Sequence, residues 1–358
     1  MCGTAHCVRS HWRTMSRSFD SPERRAMRPV DDVRHRSFGW LKGLLLAAAA
    51  LAVCASTPAL AQTSANVGMI WTATLPGHPT LLLLPTIHNL AHEDPRIDAT
   101  LASLAGSVRA IALEAPMALN AQRVAMIRQD AALPPDDNLT NHMKTMSPAA
   151  LAQCARDSHF DIVKFLQLKP WVAAAAIDAW RTNTVPGGRR DAGAPTAQRP
   201  GIDTRLETIA LKQHIPLIYL AGFDAELHLL DGIPARAQEA LLVSSCAAFH
   251  GTPPGSVSSE VLERAWIDAD GSVFERISTQ QAPGESDAHF EATRYVMLEG
   301  TRIFAATLAR DDYFHGKGAI LVAVGASHYF GEDSLIDRLR RAGYTVTPPQ
   351  PLAIVSSR

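Results

Sequence analysis

Five apolar residues, Ile320 to Val324, run up to Gly325, and His328 follows three positions later. A run this short, closed by glycine, is the pattern of a strand covered on both faces. Gly331-Glu-Asp333 predicts a turn. From Ser334 to Arg341 apolar residues recur at helical spacing, Gly343 stands where a helix C-terminus accepts a positive φ, and Tyr344 to Val346 starts another strand. A strand-turn-helix-strand unit restricts the chain to an α/β fold. It also puts His328 just beyond a strand's carboxyl end, the edge where open α/β sheets hold their ligands.

The pattern occurs a second time. Leu81 to Leu84 is a short apolar run followed by Pro85-Thr-Ile-His88, so a histidine again lies just past a strand end. Two histidines delivered this way converge only if their strands are neighbours in one sheet. A third run, Arg109 to Leu113, ends at Glu114, and Ala115-Pro116 breaks it. The right-handed crossover rule then puts Glu114 on the same edge as His88. The expected fold is α/β, with a central mixed sheet flanked by helices.

Elsewhere the elements are simpler. Val67 to Trp71 and Thr80 to Leu84 predict a hairpin about Pro76-Gly77, and Ala99 to Ala105 a helix. The middle, Ala118 to Trp180, reads as mostly helical, with Ser147-Pro148 as a helix start and Pro170 in the first turn of an alanine-rich helix. Residues 183–200, rich in Gly, Pro and Arg, predict a mobile loop over the site. A helix from Gly201, a strand from Leu217 to Leu220, and helices from Phe223, Ser258 and His289 lead to the terminal unit.

Charge and apolar patterning set the two ends apart. Residues 1–61 carry nine Lys/Arg against four Asp/Glu, leaving 25 basic and 31 acidic residues in the rest, a balance that does not suit nucleic-acid binding. Arg34, Arg36 and Lys42 precede an apolar run from Leu44 to Val53, and Ala59-Leu-Ala61 supplies a small-x-small cleavage pattern. Residues 1–61 are therefore expected to be a leader and signal peptide, removed on export to a periplasmic or secreted location. No membrane span is expected to remain after cleavage, and residues 62–358 are expected to form a single domain. Of five cysteines, only Cys154 and Cys246 stay in the mature chain. One disulfide and two buried free thiols are both open readings.

Two imidazoles and a carboxylate at one sheet edge suit the coordination shell of a hydrolytic divalent metal. His88 and His328 would hold the ion, and Glu114 would serve as ligand or general base. Manganese, cobalt and zinc are not distinguished. A serine nucleophile is disfavoured, since no G-x-S-x-G elbow occurs and Ser327 is adjacent to His328 in sequence. The histidines could instead ligate haem.

The closing stretch VAVGASHYFGEDSLIDRLRRAGYTV resembles the end of TraB/GumN proteins, a family that includes the Tiki metalloproteases. Other segments match in order: PTIH at 85–88, LEAP at 113–116, LKPW at 168–171, GID at 201–203, AWIDAD from Ala265, and Arg294. The likeness runs from roughly Val67 to Val346 and implies the two-half architecture shared with erythromycin-esterase and ChaN-like proteins. It also implies a metal-dependent hydrolase acting on a peptide or other amide or ester, with Arg294 as a charge partner of the site. Three positions depart from the family pattern: Pro85 and Ala269 replace glycines, and Ala221 replaces a glutamate. The competing expectation is a catalytically silent envelope protein that binds haem or another ligand.

Overall fold

The computed structural model describes residues 68–116, 129–181, 199–310 and 314–352. The predicted leader and signal segment lies outside them, as do residues 118–128 of the helical middle and 183–198 of the predicted loop. All described residues belong to the compact unit Ala61–Arg358.

Strands β1 (Met69–Thr74) and β2 (Thr80–Thr86) form the predicted hairpin, with Trp71 opposite Leu83. After β2 come the two-residue β3 (Asn89–Leu90), helix α1 (Pro95–Gly106) and strand β4 (Ala110–Leu113). Helices α2 (Pro148–Asp157), α3 (Ile162–Leu166) and α4 (Pro170–Arg181) follow. The predicted loop is corrected at its end: Arg199–Pro200 are not loop but strand β5, paired antiparallel with β3. Beyond it run α5 (Ile202–Gln213), β6 (Leu217–Tyr219), α6 (Phe223–Asp231) and α7 (Ala235–Ala247). Then come α8 (Ser259–Ile267), α9 (Gly271–Thr279) and the long α10 (Asp287–Arg310). The terminal unit is β7 (Ala319–Gly325), α11 (Leu335–Arg341), β8 (Thr345–Val346) and β9 (Gln350–Pro351).

Polar caps start several of these helices where the sequence places them. Ser147, Asp161, Ser258, Asp270 and Ser334 each accept a first-turn backbone N–H.

The main sheet runs β6-β4-β7-β2-β1-β8, with β9 also on β1. Strands β6, β4, β7 and β2 are parallel, and β1 with its partners is antiparallel, so the sheet is mixed. The last long strand, β7, inserts between β2 and β4, which the chain laid down more than 200 residues earlier. Its residues Ile320 to Val324 are buried, as an interior parallel strand requires. Leu81, Leu83, Ile111, Leu113 and Leu321 are fully enclosed in the core that the flanking helices cover.

A second apolar cluster packs α2, α3, α4 and α7 around Leu139, Leu151, Phe165, Ile177 and Leu242. There Cys154 and Cys246 form a disulfide that joins α2 to α7. Of the two readings left open by the sequence, the bridge is the one present.

Two of the departures from the family pattern have local physical accounts. Pro85 lies inside β2, where a proline normally costs a ladder bond. Its carbonyl accepts the indole N–H of the buried Trp266 at 2.7 Å. The nitrogen of a strand residue faces the same side as its carbonyl, so the missing N–H faces away from β7, and pairing with β1 has already ended at Leu83. No sheet bond is lost. Ala269 follows the end of α8 with φ +56°, the left-handed conformation that suits glycine. Ala269→Gly should therefore stabilise the protein by about 1 kcal/mol. Urea unfolding of the two proteins would measure it, and an unchanged midpoint would contradict the strain.

Candidate functional site

Because β7 lies between β2 and β4, the carboxyl ends of the three strands bring His88, His328 and Glu114 to one edge. The register is explicit. Thr86 pairs with Gly325 across β2 and β7, and Leu113 pairs with Ala323 across β4 and β7. Glu114 follows directly, and its Oε1 accepts the backbone N–H of Gly325.

His328 sits in a single 3₁₀ turn, Ala326–Tyr329, and is 5 % exposed. Helix α10 closes over it. Thr301 donates its hydroxyl proton to the Met297 carbonyl at 2.6 Å, and its oxygen stands 2.8 Å from His328 Nδ1. A hydroxyl has one proton to give, so Nδ1 must carry the hydrogen and donate it to Thr301. Nε2 is then the free nitrogen, 3.9 Å from Glu114 Oε1. Burial depresses the His328 pKa, opposed by the nearby Glu114 carboxylate, which leaves the ring neutral. Phe304 meets the ring edge-on at 4.9 Å. Gly300 permits this closeness, since a Cβ there would come within 2.9 Å of His328 Cε1.

His88 is held differently. Its Nδ1 makes a short hydrogen bond to Asp203 Oδ2, and Asp203 is 3 % exposed while most of the His88 side chain is open to solvent. The Gly201-Ile-Asp203 segment explains the geometry. Gly201 N–H donates to the His88 carbonyl at 3.0 Å and Ile202 N–H to the Ile87 carbonyl at 2.9 Å. A side chain on Gly201 would run into the Ile87 and His88 backbone. Helix α5 therefore starts against the site, and its first turn carries Asp203 to the ring. The Asp203 hydrogen bond, helped by the charges of Asp203 and Glu114, raises the His88 pKa to about 9.

The two rings thus share one bonding plan: Nδ1 is bound within the protein and Nε2 is left for a ligand. A carboxylate on the far nitrogen, as at His88, is the usual second contact of a metal-ligating histidine. In donor chemistry the set suits a divalent ion. Among the described residues, however, no group of three or more His, Cys, Asp or Glu stands ready at ligand spacing.

Arg294 lies on α10 with its side chain exposed. It lines a cavity of about 230 Å³ bounded also by Thr301 and Ser327, on the Thr301 side of His328. A second cleft, about 460 Å³, opens beside His88 and shares Ser327 with the first. Ala221, the third departure, donates its N–H to the Glu114 carbonyl at 2.7 Å, so this position adjoins the site.

Sequence reasoning did not place Asp203 in the site. Its partner lies 115 residues away, and only the glycine two positions before it, set within the motif, hinted at the docking. Thr301 and Gly300 carried no sequence signal.

A family model described as TraB/PrgY/gumN family matches residues 69–348. Comparison with curated proteins found no match, nor did comparison with solved structures.

Because the folded pKa of His88 is raised, the stability it contributes is fully present below its ordinary value of 6.5 and is lost as pH rises through about 9. Asp203→Asn should bring the ring's titration, followed by NMR, back toward 6.5 and remove that loss. Gly300→Ala should push His328 off Thr301 and destabilise the fold by about 1–3 kcal/mol. A variant that melts like the parent would show that α10 does not hold the ring.

Proposed function

The chain belongs to the TraB/PrgY/gumN family, and from that premise we propose that it is an exported, metal-dependent hydrolase of a peptide or other amide or ester bond. The observation that carries the reading is the matched bonding of the two histidines. Asp203 and Thr301 take the Nδ1 atoms and leave two Nε2 donors at the same sheet edge as the Glu114 carboxylate. His88 and His328 would hold the ion with Glu114, and a bound ion would supply an acidified water and polarise the carbonyl.

The protein's own groups do the rest. Glu114 takes a proton from the attacking water as the oxygen bonds to the carbonyl carbon. It then returns that proton to the leaving nitrogen or oxygen as the scissile bond breaks. Gly325 N–H, bonded to Glu114 Oε1, fixes the carboxylate for both transfers. Arg294, with no carboxylate partner among the described residues, is available to a negative group of the substrate entering past Ser327. Export has support from the Cys154–Cys246 bridge, a bond characteristic of oxidising compartments.

Metal analysis of the purified mature protein tests the reading. About one equivalent of divalent metal should co-purify or be taken up, and His328→Ala should lose it. Glu114→Gln should lower kcat on a cleaved amide or ester by roughly 10²–10⁴-fold. Metal content that is nil, or unchanged in His328→Ala, would refute the metal site. Binding at Nε2 must also displace the proton that the raised pKa keeps on that nitrogen while Nδ1–H stays bonded to Asp203, so affinity measured by calorimetry should climb from pH 7 to about 9 and level off beyond it.

A further inference from the structure

Thr86 is 2 % exposed, and its Oγ1 has no hydrogen-bond partner among the described residues. Buried hydroxyls in folded proteins are nearly always paired, so an unpaired one beside a cavity is a donor that a bound molecule could satisfy. Thr86, His88 and Ser327 line the cleft of about 460 Å³ together with the apolar Leu262, Phe274 and Ile277. Asp178 and Arg181, also in the wall, pair with each other at 3.5 Å.

The register gives the direction of the Thr86 side chain. Paired residues of parallel strands carry their side chains to the same face of the sheet. Thr86 pairs with Gly325. A Cβ on Gly325 would stand 3.0 Å from Glu114 Oε1 and 3.5 Å from His328 Cδ2. Thr86 therefore rises on the face where Glu114 and His328 meet. A side chain at position 325 would occupy the space between them.

We infer that this cleft is the acyl pocket of the hydrolase. Thr86 Oγ1 donates its hydrogen bond to the oxygen of the carbonyl under attack, and a bulky apolar side chain on the acyl residue lies against Leu262, Phe274 and Ile277. The inference rests on the hydrolase reading and narrows it to a substrate class: amides and esters whose acyl residue is large and apolar, in preference to glycine. The hydroxyl is a donor aimed at charge that grows in the transition state, so its loss falls mainly on kcat.

Two probes test it, the p-nitrophenyl esters of benzyloxycarbonyl-leucine and benzyloxycarbonyl-glycine, with the metal-loaded mature protein. The leucyl ester should be cleaved at least about tenfold faster in kcat/KM. Ile277→Ala should bring that ratio toward one. Thr86→Val, close to threonine in shape, should lower kcat on both esters by roughly 10²-fold while metal content and circular dichroism stay at parental values, and Thr86→Ser should restore much of the loss. Equal rates for the two esters, or a Thr86→Val protein as fast as the parent, would overturn the pocket and leave the hydrolase reading standing. If the parent cleaves neither ester, that reading is what fails. The pocket is then judged by saturation-transfer NMR with N-acetyl-leucinamide and N-acetyl-glycinamide. Selective leucinamide binding, lost in both Thr86→Val and Ile277→Ala, supports it; absent or equal binding overturns it.

Discussion

The parallel pairing of β2 with β7 is the contact on which the site depends. It joins Thr80–Thr86 to Ala319–Gly325 over seven residue pairs, and it closes only when the last long strand slots between two laid down much earlier. Until β7 is in place, Glu114 has no Gly325 N–H to accept, and His328 is not brought beside His88. The pairing is held by burial on both faces: every residue from Ile320 to Val324 is enclosed. A one-residue slip would misalign Thr86 and Gly325 and separate the strand ends that carry the histidines.

Around that frame, two helices set the states of the two imidazoles in opposite directions. Helix α5 presses its first turn against the His88 backbone, and Asp203 favours the charged ring. Helix α10 covers His328, and desolvation favours the neutral ring. In both cases the nitrogen engaged is Nδ1, although one partner is a buried carboxylate and the other a hydroxyl. Glu114 lies within electrostatic reach of both rings and raises the pKa of each. The edge therefore holds an acid, a base and a carboxylate, set by packing at positions far apart in sequence.

The departures from the family pattern divide along physical lines. Pro85 removes a donor that no strand would have used, because its carbonyl side turns to Trp266. Ala269 accepts a strained φ just past a helix end. Ala221 lies next to Glu114 through a backbone bond, so this change adjoins the site.

Much of this was legible without coordinates. Apolar runs bounded by glycine and proline marked β2, β4 and β7, and the crossover rule put Glu114 on the right edge; serine and proline marked the start of α2. What the sequence by itself determined was which side chains stand at strand ends, because local sterics and burial of short apolar runs need no distant partner. Only the tertiary structure decided that β7 enters between β2 and β4, that Asp203 reaches His88, that Thr301 takes His328 Nδ1, and that Thr86 is left unpaired. Each of these depends on contacts between segments far apart along the chain, and no local propensity or spacing encodes which remote partner a polar atom will meet.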